Sequence, residues 1–173
     1  PPRSTLFPYT TLFRSIAVLP FANDTSRRGA GDVLVGQFVA QLARSGSFDV
    51  LDPGVIREEL LAHRIVLESG VSIDSAVVLL DLLQADLVLS GDVQVYEPRA
   101  GEQRPPSIEF TSDVLDRRSS ELVWSSASEG EGDDGVFFFG AGRVHTTSEL
   151  SCRMARGVVD RSVGRRAPLD PRE

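Results

Sequence analysis

The two histidines and the single cysteine carry the most reactive side-chain chemistry in this 173-residue sequence. His63 follows Glu59 by four positions in a predicted helix, a spacing that more often gives an exposed side-chain pair than a base held by a carboxylate. His145 and Cys152 would meet only if the helix that holds Cys152 began before its predicted start. Neither pair places a nucleophile beside a base, so we predict no catalytic residue and a protein that is not an enzyme.

Cofactor and metal sites are not expected either. Residues 27–32 precede a helix, as a phosphate loop does, but they lack the Gly-Lys-Ser/Thr ending, and Asp32 would repel an anion. Asp133 and Asp134 could approach a cation, yet two carboxylates supply too few oxygens for calcium without help. A solvated loop is the default interpretation of that pair, and a lone cysteine excludes a cysteine-based metal cluster.

An acidic loop followed by three phenylalanines is the strongest candidate for a surface that binds a partner. The period of two in a strand would place the first and third phenylalanine on one face and the second on the other. Burial under the closing helix and exposure to a partner both remain open for these rings. The predicted partner-binding residues are Glu129, Glu131, Asp133, Asp134, Phe137, Phe138 and Phe139.

The elements that must position these residues alternate between strands and helices in the first half of the chain. Residues 16–21 form an apolar run typical of a buried strand, and residues 48–52 predict a second strand. Between them lies an amphipathic helix that we expect Asp32 to cap and Gly46 to close. Asp52 and Pro53 predict the start of a second helix, and Ser72 is the expected cap of a third.

The second half predicts antiparallel strands and one last helix. Residues 86–97 alternate with a period of two, and residues 107–116 and 121–130 predict a hairpin. Thr146 and Glu149 form a capping box before the closing helix. The order predicts an α/β sandwich: a mixed sheet with an antiparallel meander, and helices packed mainly on one face.

Composition limits the partners that this chain can bind. The formal net charge is -7, from 18 basic and 25 acidic side chains, so nucleic acid is an unsuitable partner. No apolar run approaches the roughly 20 residues of a membrane-spanning helix. A hydrophobic fraction of 41% is typical of one globular domain.

The first fifteen residues look foreign to the rest of the chain. The codons of a common short-read sequencing adapter translate into residues 1–15 without a mismatch. We therefore interpret this segment as adapter-derived, non-native and disordered, and expect a single domain over residues 16–164 with a frayed tail at 165–173. On this interpretation any signal peptide or lipid anchor was encoded upstream and is lost, so contact with a membrane would depend on that lost anchor.

Four sequence segments in this order resemble the CsgG / TolB amino-terminal-like superfamily of bacterial envelope proteins. They are the strand "IAVLPFAND", the stretch "LARSGSFDVLD" with its following helix, the strand "LLQADLVLSGDVQVYEP", and the hairpin "DVLDRRSSELVWSSASEG". The hairpin departs from the family pattern at Ser120, where glycine is common. The resemblance covers about residues 16–128.

The resemblance implies a non-enzymatic accessory protein that works by binding other envelope proteins, in the periplasm or at the inner face of the outer membrane. Relatives of this kind include penicillin-binding-protein activator lipoproteins and the curli secretion lipoprotein. Self-association, a curli-type channel subunit and a cytoplasmic TolB-like sensory domain of a signalling protein stay open as alternatives. The resemblance transfers no catalytic residue to this chain.

Overall fold

The structure, a computed structural model, describes residues 14–65, 67, 71–98, 104–134 and 142–164. Within those residues, the chain forms seven strands and four helices. The strands are β1 (Arg14–Val18), β2 (Ala22–Asn23), β3 (Phe48–Val50), β4 (Leu87–Ser90), β5 (Asp92–Glu97), β6 (Ser107–Asp116) and β7 (Glu121–Glu131). The helices are α1 (Ala30–Ser45), α2 (Pro53–Ala62), α3 (Ile73–Leu82) and α4 (Thr147–Gly164).

All seven strands join one mixed sheet, which confirms the predicted fold class. The parallel strands β3 and β4 flank β1, whereas β6 runs antiparallel to β4, β5 and β7. Because β4 and β5 pair with successive parts of β6, they act as one long strand bent at Gly91. A Cβ added to Gly91 would collide with the Thr111 carbonyl and the Phe21 ring, so the bend depends on glycine.

Local signals define the helix starts. The Asp52 carboxylate accepts from the Gly54 N–H at 2.6 Å, and Thr146 Oγ1 accepts from the Glu149 N–H at 3.2 Å, as predicted. Helix α1 differs, because its cap is Gly29 with φ of +81°, and Asp32 lies within the first turn instead. There its charge still favours the positive end of the helix dipole.

Helices cover both faces of the sheet, and the expectation of packing mainly on one face was wrong. Helices α1 and α4 pack on the face that includes Ile16 and Leu87, whereas α2 and α3 pack on the face that includes Ala17 and Val88. The physical reason lies in β1 and β4, which are apolar at successive positions. Since neighbouring residues point to opposite faces, such strands need cover on both sides.

Strand β1 begins at Arg14, two residues before the expected domain boundary. Arg14 pairs in register with Phe48, and its guanidinium forms an ion pair with Asp116. The Asp86 carboxylate accepts from the Ser15 N–H at 2.9 Å and from Ser15 Oγ at 3.0 Å, which lowers the pKa of Asp86.

The expectation of an unpaired segment is therefore wrong for Arg14 and Ser15. Arg14 and Ser15 pair with β3 through backbone groups, and such pairing does not depend on which side chains the two residues carry. Residues 1–13 and the tail at 165–173 lie outside the described residues. The adapter origin stays a prediction.

Candidate partner-binding surface

The predicted acidic residues lie at the far end of β7 and in the turn that follows it. Glu129 and Glu131 are exposed strand residues, and Asp133 and Asp134 are exposed turn residues. Asp134 Oδ2 accepts from the Glu131 N–H at 2.7 Å, so this carboxylate also stabilises the turn. The predicted residues Phe137, Phe138 and Phe139 lie outside the described residues, and their part in a site stays a prediction.

The turn is fixed to the rest of the fold through Gly132. Its N–H donates to the Pro106 carbonyl at 2.8 Å, and its own carbonyl accepts from the Val144 N–H at 2.6 Å. These bonds join the end of β7 to the start of β6 and to the segment before α4. The carboxylates at this end of the sheet are therefore held on a rigid frame.

The sheet places further carboxylates beside the predicted ones. Ile108 and Phe110 belong to the core under α1 and α4, so Glu109 between them points to the opposite face. On that opposite face the core formed by α2 and α3 includes Leu115 of β6 but no described residue of β5 or β7. Among the described residues, no helix covers this face over β5, β7 and the first part of β6. We call its carboxylates the acidic face: Asp92, Glu97, Glu109, Asp113, Glu129 and Glu131.

No positive charge balances the acidic face within the strands that build it. Strands β5, β6 and β7 carry eight acidic side chains and no basic one. Across the described parts of the chain, none of the six carboxylates forms an ion pair. An unbalanced patch of one sign attracts a surface of the opposite sign.

Two of these carboxylates stand directly opposite each other. The register pairs Glu109 of β6 with Glu129 of β7, and both side chains are exposed. Like charges in this position destabilise a sheet by up to about 1 kcal/mol. Further along β7, the exposed residues Ser125 and Ala127 have small side chains.

An apolar cavity of about 250 Å³ lies at the other end of the core, beneath the last turns of α1 and α4. Its polar side chains are those of Arg14, Trp124 and Ser162. Arg14 is already paired with Asp116, and Ser162 Oγ donates to the Val159 carbonyl at 2.8 Å. With Arg14 and Ser162 already paired, the cavity offers few polar groups to orient a small ligand.

The structure defines contacts for two of the reactive side chains, His63 and Cys152. His63 Nδ1 lies 3.8 Å from Glu59 Oε2, and both side chains are more than 40% exposed. Cys152 Sγ accepts a weak hydrogen bond from Gln41 Nε2 at 3.4 Å. Among the residues that the structure describes, no group of three or more metal-ligating side chains is present, and no helix is long and apolar enough to cross a membrane.

The sequence predicted two residues of the acidic face, Glu129 and Glu131, and not the other four. The missed carboxylates, Asp92, Glu97, Glu109 and Asp113, are distributed singly among alternating strand residues. A usable signal was present, because the three predicted strands contain no arginine in a chain that has 18 basic residues. Only the strand register brings these charges into one patch.

No protein-family model matches the chain, and no curated protein matches it by sequence. Solved structures share its fold. The PelC dodecamer from Paraburkholderia phytofirmans aligns with a TM-score of 0.58 at 19% identity, over 85% of each chain. Lipoprotein GNA1162 from Neisseria meningitidis aligns with a TM-score of 0.59 at 16% identity, over 87% of this chain and 99% of the other.

The LpoB C-terminal domain from Escherichia coli is also similar, with a TM-score of 0.50 at 14% identity over 68% of this chain and 82% of that domain. At such identities the likeness concerns the fold alone. The resemblance to the CsgG / TolB superfamily stays a prediction. The chain has the α/β fold that these three structures share.

Proposed function

We propose that this protein is a non-enzymatic accessory protein of the bacterial cell envelope that works by binding another envelope protein through the acidic face. The observation that carries the proposal is the acidic face of the sheet, where none of the six carboxylates forms an ion pair with a described residue. A partner with a basic surface would relieve the repulsion between Glu109 and Glu129.

The structural neighbours support the location and the mode of action. One is a lipoprotein, and another forms a dodecamer, so this fold is used in an anchored protein and in a protein assembly. We place the chain in the periplasm, at the inner face of the outer membrane, with Phe137, Phe138 and Phe139 as further contact residues.

The test is photo-crosslinking in cells that carry the full-length gene. A photoreactive residue replaces Ala127, which is exposed on the acidic face, and in a matched variant it replaces Gly36, which is exposed on α1. We expect the protein in the envelope fraction, with an adduct to another envelope protein from position 127 and none from position 36. Recovery in the cytosol, or equal adducts from both positions, would contradict the proposal.

A further inference from the structure

The outer edge of β7 borders a groove that no described segment fills. Strand β7 is eleven residues long and pairs with β6 on one side, and no described residue pairs with its other side. A long open edge is a template for an added strand. The groove beside it, of about 330 Å³, is lined by five successive residues, 127–131, and therefore follows the backbone edge and not one face of the strand.

Helix α4 forms the other wall of the groove. Arg153, Gly157 and Arg161 recur every four residues, so they form one stripe along the helix and all line the groove. Met154 packs against the strand, and a Cβ added to Gly130 would lie 3.0 Å from the Met154 sulfur. Above Gly157 the space is open, since a Cβ added there would meet no atom within 4 Å.

The charges on the two walls specify what an added strand would carry. Side chains on its helix side would meet Arg153 and Arg161, whereas side chains on its other side would lie beside Glu129 and Glu131. Opposite charges across neighbouring strands are stabilising. The matching segment therefore alternates acidic or neutral residues with basic ones.

A second copy of this chain does not meet that requirement through its own edge. Strand β7 contains no basic residue, so pairing two copies of β7 would bring only neutral or acidic side chains beside Glu129 and Glu131. The charges therefore disfavour a second β7 edge as the occupant and favour a segment of another protein that carries basic residues.

We propose that the β7 edge binds an extended segment of a partner protein by strand addition, with basic side chains of that segment on the acidic face and acidic or neutral ones under α4. This inference rests on the proposed function and names the chemistry of the partner. Backbone hydrogen bonds would supply affinity, and the alternating charges would set register and specificity.

The test uses two synthetic peptides of nine residues and equal composition. One has the order Thr-Arg-Glu-Arg-Val-Arg-Glu-Arg-Thr, and the other collects its four arginines in one block. We expect the alternating peptide to bind roughly tenfold more tightly, since each of several cross-strand charge pairs contributes a few tenths of a kcal/mol and 1.4 kcal/mol is tenfold. Hydrogen exchange should slow at the amides of residues 124–131 when it binds.

Gly157→Leu places a side chain in the groove, and Gly36→Leu is the matched control on the exposed side of α1. Both changes replace glycine in a helix and leave room for a Cβ, so both variants should be at least as thermally stable as the original protein. We expect Gly157→Leu to weaken the alternating peptide at least tenfold and Gly36→Leu to leave its affinity unchanged.

Equal affinity for the two peptides, no slowing of exchange in β7, or full binding by Gly157→Leu would each overturn strand addition. Such a result would leave the proposed function standing if crosslinks from position 127 persist. Loss of those crosslinks would instead remove the proposed function itself.

Discussion

The two halves of the sheet differ in how their faces are covered. Strands β1 and β4 are covered on both faces, and their central residues, such as Ala17 and Val88, have no exposed surface. Strands β5 and β7 and the first part of β6 are covered by described residues on one face, and their other face is lined with carboxylates. The half around β1 and β4 stabilises the fold. The half formed by β5, β6 and β7 presents carboxylates, and the first half holds these strands in place.

The largest difference should appear when the same acidic residue is placed in each half. Val88→Asp buries a charge between two apolar layers, and we expect more than about 4 kcal/mol of destabilisation or no folding at all. Ala127→Asp adds a charge to an exposed strand position and should cost less than about 1 kcal/mol. Urea denaturation measures the loss of unfolding free energy in each variant. Similar losses in the two variants would contradict the claim that the two halves of the sheet differ in cover.

Asp116 joins the covered half to the hairpin, and its replacement should have an intermediate effect. Burial raises the pKa of this carboxyl, but hydrogen bonds from Arg14 and from the Arg118 N–H outweigh it, so the pKa lies below the ordinary 3.8. Asp116→Asn should cost about 1 to 2 kcal/mol at pH 7, a modest value because the Arg14 side chain is 35% exposed and screened by water.

The pH dependence of that loss has a definite sign. A carboxyl whose pKa is lowered by folding stabilises the protein at pH values above its unfolded pKa, and this stability is lost as the pH falls through the folded pKa. The difference in stability between the original protein and Asp116→Asn should therefore shrink below about pH 4. A constant difference between pH 7 and pH 3 would show that the effect is not ionic.

The smallest expected change in stability concerns the acidic face, and it is a stabilisation. Glu129→Gln removes one member of the Glu109 and Glu129 pair and should stabilise the protein by a few tenths of a kcal/mol at low salt. Salt should reduce this gain, because it screens exposed charges. Thermal unfolding of Glu129→Gln measures this stabilisation, and Glu58→Gln, a change at an exposed position on α2, is the control. If Glu129→Gln is no more stable than that control, the charges of Glu109 and Glu129 do not interact.

Local signals made much of the fold predictable. Asp52 with Pro53, Gly46 and Thr146 set helix ends through contacts with their own neighbours in sequence, and period-two alternation identified the hairpin. The cover on both faces was also encoded in the continuous apolar runs of β1 and β4.

The acidic face was not predictable in the same way. Glu109 and Glu129 are 20 positions apart, and only the pairing of β6 with β7 makes them neighbours. The groove wall formed by Arg153 and Arg161 depends on how α4 packs against β7, which no local pattern reports. Sequence alone identified Glu129 and Glu131, because they lie next to a conspicuous loop.

The most direct test of the central claim compares crosslinking yield from position 127 in two double variants of equal net charge. One carries Glu109→Gln and Glu129→Gln on the acidic face, and the other carries Asp49→Asn and Glu58→Gln at exposed positions on β3 and α2. The account predicts that the yield falls several-fold in the first variant and is unchanged in the second. Equal yields in the two variants would contradict it.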